Sequence, residues 1–119
     1  MALAQTTLGS ITQIQTAGSG TVLTVAGGKP VYVKSLLIHG LDNDSTNEVE
    51  IHVVPNNGGS VGTASSVNRI ARVGLSTNDT YFFEAAYPIT LVNNNDTIQC
   101  VNAVGSNAVN VIVLGDKEA

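Results

Sequence analysis

Charge is scarce in this sequence. Asp, Glu, Lys and Arg make up 12% of its 119 residues, about half the ~25% of an average soluble protein. Nine acids against five bases leave a formal charge of −4. Nucleic acid is therefore not an expected partner, because phosphates call for a clustered basic footprint. Tryptophan is absent and aromatics are few: Tyr32, Tyr81, Phe82, Phe83 and Tyr87. That disfavours a carbohydrate module built on exposed aromatic faces. There is one cysteine, Cys100, so no internal disulfide can form and stability rests on packing. Its apolar surroundings, Thr97–Val101, predict a buried, inert thiol. No run of ~18 apolar residues exists, so no membrane span is expected. The first residues lack a basic segment and a long apolar stretch, so no secretory leader is expected.

The length supports one domain and excludes an α/β barrel of ~250 residues. The apolar fraction of 43% argues against disorder. Asn, Thr, Ser and Gly supply neutral polarity in place of charge. Two readings account for the missing charge: a neutral surface, or surface buried against other subunits. The second is preferred, because interface cores are depleted in charge.

What is present is β-branched. Val and Ile outnumber Leu, and short apolar runs recur between Gly, Asn, Asp and Pro, the pattern of an all-β chain. No window carries helical periodicity between caps. Residues 1–20 read as a small, polar N-terminal arm with a short strand near Ser10–Gln15. The single domain then spans 21–119. Its predicted strands are Thr21–Val25, Val31–Gly40, Glu48–Val54, Val67–Leu75, Thr80–Ala86, Ile89–Val92, Thr97–Val104 and Ala108–Leu114. In Glu48–Val54, Val49, Ile51 and Val53 alternate with Glu48, Glu50 and His52, predicting one dry and one wet face. Tyr87-Pro88 is expected to break a strand, since proline lacks a ladder donor. About eight strands predict an antiparallel β-sandwich, jelly-roll-like.

No motif makes the chain an expected enzyme. Gly58–Gly62 matches G-x-S-x-G, but a nucleophile elbow needs a strand-to-helix turn and a later histidine. His39 and His52 both precede it, so a flexible glycine loop is the reading. The segment Asp42–Glu48 alternates oxygen ligands as a calcium loop would. It has Asn47 and Val53 where an EF-hand needs Gly and Glu. The readings are an irregular cation site or a solvated loop of Asx turns, with the loop preferred and no metal or cofactor expected. His39 and His52 fall on neighbouring predicted strands, where they form a surface or interface pair or begin a metal site lacking a third ligand. Three Asn-Asp-Ser/Thr triplets, at 43–45, 78–80 and 95–97, are formal glycosylation sequons. They are read instead as tight turns.

The order of segments carries a resemblance. A Val-rich strand and a Gly28-Lys29 turn lead to Val33–Ile38. Then come Val49–Pro55, the Gly58-Gly59-Ser60 loop, Asn68–Ile70, Thr80–Glu84, Tyr87–Leu91, Asn95–Gln99 and Val109–Val113. Over residues 21–114 this resembles the small β-sandwich virion proteins of tailed bacteriophages, including capsid decoration (cement) proteins and head- or tail-associated fibre modules. Such families have Gly-Asp-Thr-Ile where this chain has Asn95-Asp96-Thr97-Ile98, a conservative departure.

The resemblance implies a non-catalytic virion structural protein. It would be a homotrimer bound to the major capsid protein on the outer surface of a phage head, made in the host cytoplasm. A neck, tail or fibre module and a host-surface or carbohydrate-binding module are the alternatives. Loops carry function more often than strands. The expected partner contacts are therefore Leu3, Thr7, Leu8 and Ile11 of the arm, Asp42 and Asp44 of the first polar loop, and Asn56, Asn57 and Ser60 of the long one.

Overall fold

The computed structural model describes residues 3–8, 11–15, 17–41, 47–76, 78–105 and 107–118, with the backbone alone at 3–7. Nine strands run through them: β1 Leu3–Thr7, β2 Thr12–Ile14, β3 Ser19–Thr24, β4 Val31–Gly40, β5 Asn47–Val54, β6 Arg69–Leu75, β7 Thr80–Leu91, β8 Thr97–Val104 and β9 Val109–Glu118. They form two antiparallel sheets. One has the order β1-β9-β4-β7, with β2 also on β9; the other is β3-β8-β5-β6. β1 pairs with Leu114–Glu118 and β2 with Val109–Val111. The two are therefore one edge position interrupted along its length. Counted so, the sandwich has eight positions in jelly-roll order, with each sheet drawing strands from both halves of the chain.

The segment expected as an arm is thus sheet edge at 3–7 and 12–14, and the third strand begins at Ser19. Small polar residues concealed β1, because an edge needs backbone donors and acceptors more than apolar side chains, whereas β2 falls within the short strand expected near Ser10–Gln15.

Alternation puts the core between the sheets. Val31, Val33, Leu36 and Ile38 of β4, with Val109, Val111 and Val113 of the neighbouring β9, face Val49 and Ile51 of β5 and Ile98 and Cys100 of β8 across the interior. All are at most 2% exposed. Each such side chain contributes about 1.5–3 kcal/mol of transfer free energy. The phase of β4 changes between Val33 and Leu36 because of a bulge. Val33 pairs with Gly115 and Ser35 with Leu114, leaving Lys34 unpaired in the ladder. A Cβ at Gly115 would collide with the Tyr32 carbonyl, so glycine lets the strands close over the bulge. β9 then runs past its predicted end at Leu114. The Lys34 ammonium lies 2.8 Å from Asp116, and the Tyr32 hydroxyl donates to Glu118 over 2.6 Å. That hydrogen bond, helped by burial and the carboxylate charge, raises the tyrosine's pKa.

The same bulge resolves Tyr87-Pro88. β7 continues to Leu91, but its register with β4 jumps from Ser35–Glu84 to Val33–Ile89. Ala85–Pro88 bow out opposite Lys34, so the proline's missing donor falls where no ladder bond is made.

Two triplets do form the predicted turns. Asn78 and Asn95 take positive φ of 62° and 67°. In each turn the following aspartate accepts from the backbone three residues earlier: Ser76 N–H to Asp79 at 3.0 Å, and Asn93 N–H to Asp96 at 3.1 Å. The third triplet lies outside the described residues.

Candidate interaction surfaces

The long loop after β5 is packed, which its glycines and serines did not suggest. It folds over the outer face of the β3-β8-β5-β6 sheet. Asp96 accepts from the Asn56 backbone N–H at 2.9 Å and from its side-chain amide at 3.2 Å. The Asn56 side-chain Oδ1 accepts from Gly59 N–H at 3.0 Å, and the Asn95 side-chain amide donates to Gly59 O at 2.8 Å. Asn57 and Ser60 close the tip as a two-way backbone bridge. The Gln99 amide donates to Gly62 O at 3.0 Å, and a Cβ at Gly62 would stand 2.6 Å from Pro55 O. As a result His52, Val54, Thr97 and Gln99 are buried although they point away from the core. The predicted wet face of β5 is covered at His52.

Beside this loop lies a charged network. Glu50 meets Arg69 and Arg72, each at 2.9 Å, and His52 at 3.1 Å; Arg72 also reaches Glu48 at 3.1 Å. Burial pushes the Glu50 carboxyl upward. The hydrogen bonds from His52 and Arg69 and the two guanidinium charges outweigh it and hold its pKa below the ordinary value. The other ring nitrogen of His52 lies 2.8 Å from Asn68 Oδ1, which also accepts from Ser65 N–H. The arrangement ties β5, β6 and the loop together.

His39 is elsewhere. It stands on β4, in the opposite sheet from His52, with its Nδ1 2.9 Å from the Thr80 hydroxyl. The two histidines do not meet, because consecutive strands β4 and β5 belong to different sheets. Among the described residues no group of three His, Cys, Asp or Glu side chains could hold a metal ion. Cys100 is fully buried, and desolvation pushes its thiol up to about 12.

The outer face of the β1-β9-β4-β7 sheet is different in kind. Ile112 of β9, Leu37 of β4 and Phe82 of β7 are register partners across three strands. They form an apolar stripe pointing to solvent, with Phe82 60% exposed. Ile11 (64% exposed) joins it, and a groove of about 230 Å³ opens between Ile11, Leu37, Ile112, His39, Thr80 and Asn110.

The contact residues expected from sequence scatter. Leu3 and Thr7 lie on β1 opposite Glu118 and Leu114. Leu8 is buried in the chain's own core, which leaves it little surface for a partner. Ile11 borders the apolar stripe. Asn56 is half-buried by its bonds to Asp96, while Asn57 and Ser60 are exposed at the loop tip. Asp42 and Asp44 lie outside the described residues. Leu37, Phe82 and Ile112 are not among the expected contacts. Their signal was present: Leu36-Leu37-Ile38, Tyr81-Phe82-Phe83 and Val111–Val113 are unbroken apolar runs, which place apolar side chains on both faces of a strand.

A scan against protein-family models finds no match for this chain, and a search of curated proteins finds none.

Proposed function

We infer that the chain is a non-catalytic virion structural protein of the capsid-decoration type. In this reading it works as an assembly of its own copies, for which the resemblance implies a trimer, on the major capsid protein at the outer surface of a phage head. The observation that carries the reading is the stripe Ile112–Leu37–Phe82 with Ile11 beside it. Contiguous apolar surface of this kind marks contact with another macromolecule. The jelly roll supports it as a frequent architecture of viral capsid domains, though fold alone does not assign function. Low charge and a chain of −4 fit a contact made from neutral surface.

A protein of this kind acts by mass action. It binds the assembled lattice and not the loose subunits, stabilising each site by RT ln(1 + [L]/Kd), about 2.7 kcal/mol at a hundredfold excess. Repeated sites and several contacts per assembly multiply the effect. The test is co-sedimentation of the purified chain with phage heads. Binding that survives raised ionic strength is expected, because neutral contacts are little screened. Failure to bind heads, or release at modest salt, would remove the reading.

A second reading, a host-surface or carbohydrate-binding module, has Tyr87 in its favour. That ring is 87% exposed on the β7 bulge, and aromatic faces suit sugar rings. A glycan-array signal on an isolated monomer would favour it.

A further inference from the structure

The His52 ring is 2% exposed, so neither of its nitrogens turns to bulk water. Each faces a protein oxygen instead: Nε2 lies 3.1 Å from Glu50 Oε1, and Nδ1 lies 2.8 Å from Asn68 Oδ1. The Asn68 amide can point only one way. Its Nδ2 donates to Thr63 O at 3.0 Å while its Oδ1 accepts from Ser65 N–H at 2.9 Å, and a flip would set donor against donor and carbonyl against carbonyl. Burial opposes the charge on Glu50, but the hydrogen bonds from His52 and Arg69 and the two guanidinium charges prevail and hold its carboxyl below the ordinary range. It is therefore ionised and accepts only. A neutral imidazole has one N–H and would set a lone pair against one of these oxygens. The imidazolium has two and satisfies both. The backbone prepares the site. Ala71 pairs with Ile51 and Arg69 with His52, so Ile70 is an extra residue in β6. That bulge turns Arg69 and Arg72, three apart, to the same face, where both reach Glu50 Oε2 at 2.9 Å and leave Oε1 to the histidine.

We propose that His52 is a proton-dependent latch on the 55–68 loop. Its imidazolium joins the Glu50 carboxylate to the Asn68 amide, and loss of one proton frees the 63–68 end of the loop. The proton that leaves to solvent is the one on Nδ1, because Nε2–H faces a full negative charge and Nδ1–H a neutral amide. The 55–62 end stays fixed, since Asp96, Asn95 and Gln99 hold it without the histidine. The cover over β5 is thus tight on the acid side and loosens as pH rises. Four charges face the ring. Glu50 favours the imidazolium. Arg69 and Arg72 oppose it but are engaged by Glu50, and Arg72 also by Glu48. β8 and residues 55–68 carry no charged side chain, and the β8 residue opposite His52 is the neutral Gln99. The latch is independent of the virion reading, because it is measured on the purified chain without heads.

The experiment is an NMR titration of the purified chain from about pH 5 to 8, the range in which histidine changes charge. It reads the His52 ring nitrogens together with amide-exchange protection, corrected for the pH dependence of free-amide exchange. Both nitrogens should carry protons at the acid end. As the ring loses its charge, protection at Ser65 and Asn68 should fall at least about tenfold with the same midpoint, the effect of losing one hydrogen bond to a charged group. Protection at 56–62 should hold. His39, in the other sheet, is the internal control, and its titration should leave these amides unchanged. Glu50→Gln should move the His52 midpoint about one unit to lower pH, because the ring loses the carboxylate and keeps the arginines. His52→Gln should abolish the step in protection at 63–68. A neutral ring at the acid end, a ring that keeps its charge throughout, protection that ignores the ring's charge, or a midpoint unmoved in Glu50→Gln would each overturn the proposal.

Discussion

On the sheet carrying β5 and β8, the outward side chains His52, Val54, Thr97 and Gln99 lie beneath the 55–68 loop and are at most 8% exposed. On the sheet carrying β4 and β7, the outward Leu37, Phe82 and Ile112 are left at least partly open to solvent. The chemistry is inverted relative to expectation: the covered face is the more polar one, and the open face is apolar. A loop can cover polar strands because amides and carboxylates pin it by hydrogen bonds, as Asp96, Gln99 and His52 do here. An apolar face offers a loop no such anchors. It remains available to another folded surface, and that is how the same two-layer fold presents one finished side and one unfinished side.

The largest effect should come from unpinning the finished side. Asp96→Ala removes the acceptor of two backbone N–H groups, at Asn56 and Asn93, and of the Asn56 amide. Charge-assisted bonds contribute about 1.5–3 kcal/mol each in isolation, and losses at one residue are not additive. A destabilisation of about 3 kcal/mol is expected by denaturant unfolding, with faster amide exchange across 56–62. A loss below about 1 kcal/mol would mean that the loop does not depend on this anchor and that the contrast between the faces is weaker than the geometry implies.

The sequence carried the sandwich because strand periodicity is local. Val31–Gly40 and Thr97–Val104 have the predicted bounds, and Val109, Val111 and Val113 face the core as their alternation requires. It carried the short edge strand near Ser10–Gln15, found at Thr12–Ile14, but not Leu3–Thr7, which is held by backbone bonds to β9 that leave little imprint on side-chain choice. Nor did it carry the packed loop, whose anchors Asp96 and Gln99 lie about forty residues further along. The burial of Leu8 was not legible for the same reason: it is set by partners distant in sequence. The apolar face was legible in principle, in the double-sided runs around Leu37, Phe82 and Ile112.

A smaller effect should come from the ion network beside the loop. The Glu50 carboxyl titrates below its ordinary value of 4.5 in the folded chain, with burial opposing the shift and His52, Arg69 and Arg72 producing it. A depressed carboxylate contributes stability above the unfolded value, and loses it as pH falls through the folded one. Glu50→Gln should therefore cost about 1 kcal/mol at neutral pH, discounted because both arginines are over a third exposed. It should flatten the fall in stability below pH 4.5. An unchanged acid limb would assign that fall to other groups.

The smallest effect on folding is expected on the unfinished side. Leu37 is half-buried in the isolated chain, between Phe82 and Ile112. Threonine suits a strand and removes apolar area from a face that no other layer of the described residues covers. Surface changes of this kind stay within about 0.5 kcal/mol, so Leu37→Thr should leave thermal unfolding nearly unchanged. The same substitution should weaken binding to phage heads, because it thins the apolar stripe on which the proposed contact rests. A chain destabilised by more than about 2 kcal/mol would place Leu37 in the range of core truncations. Sheet and stripe would then belong to one interior, and the contrast between the two faces would fail at the residue where it is easiest to measure.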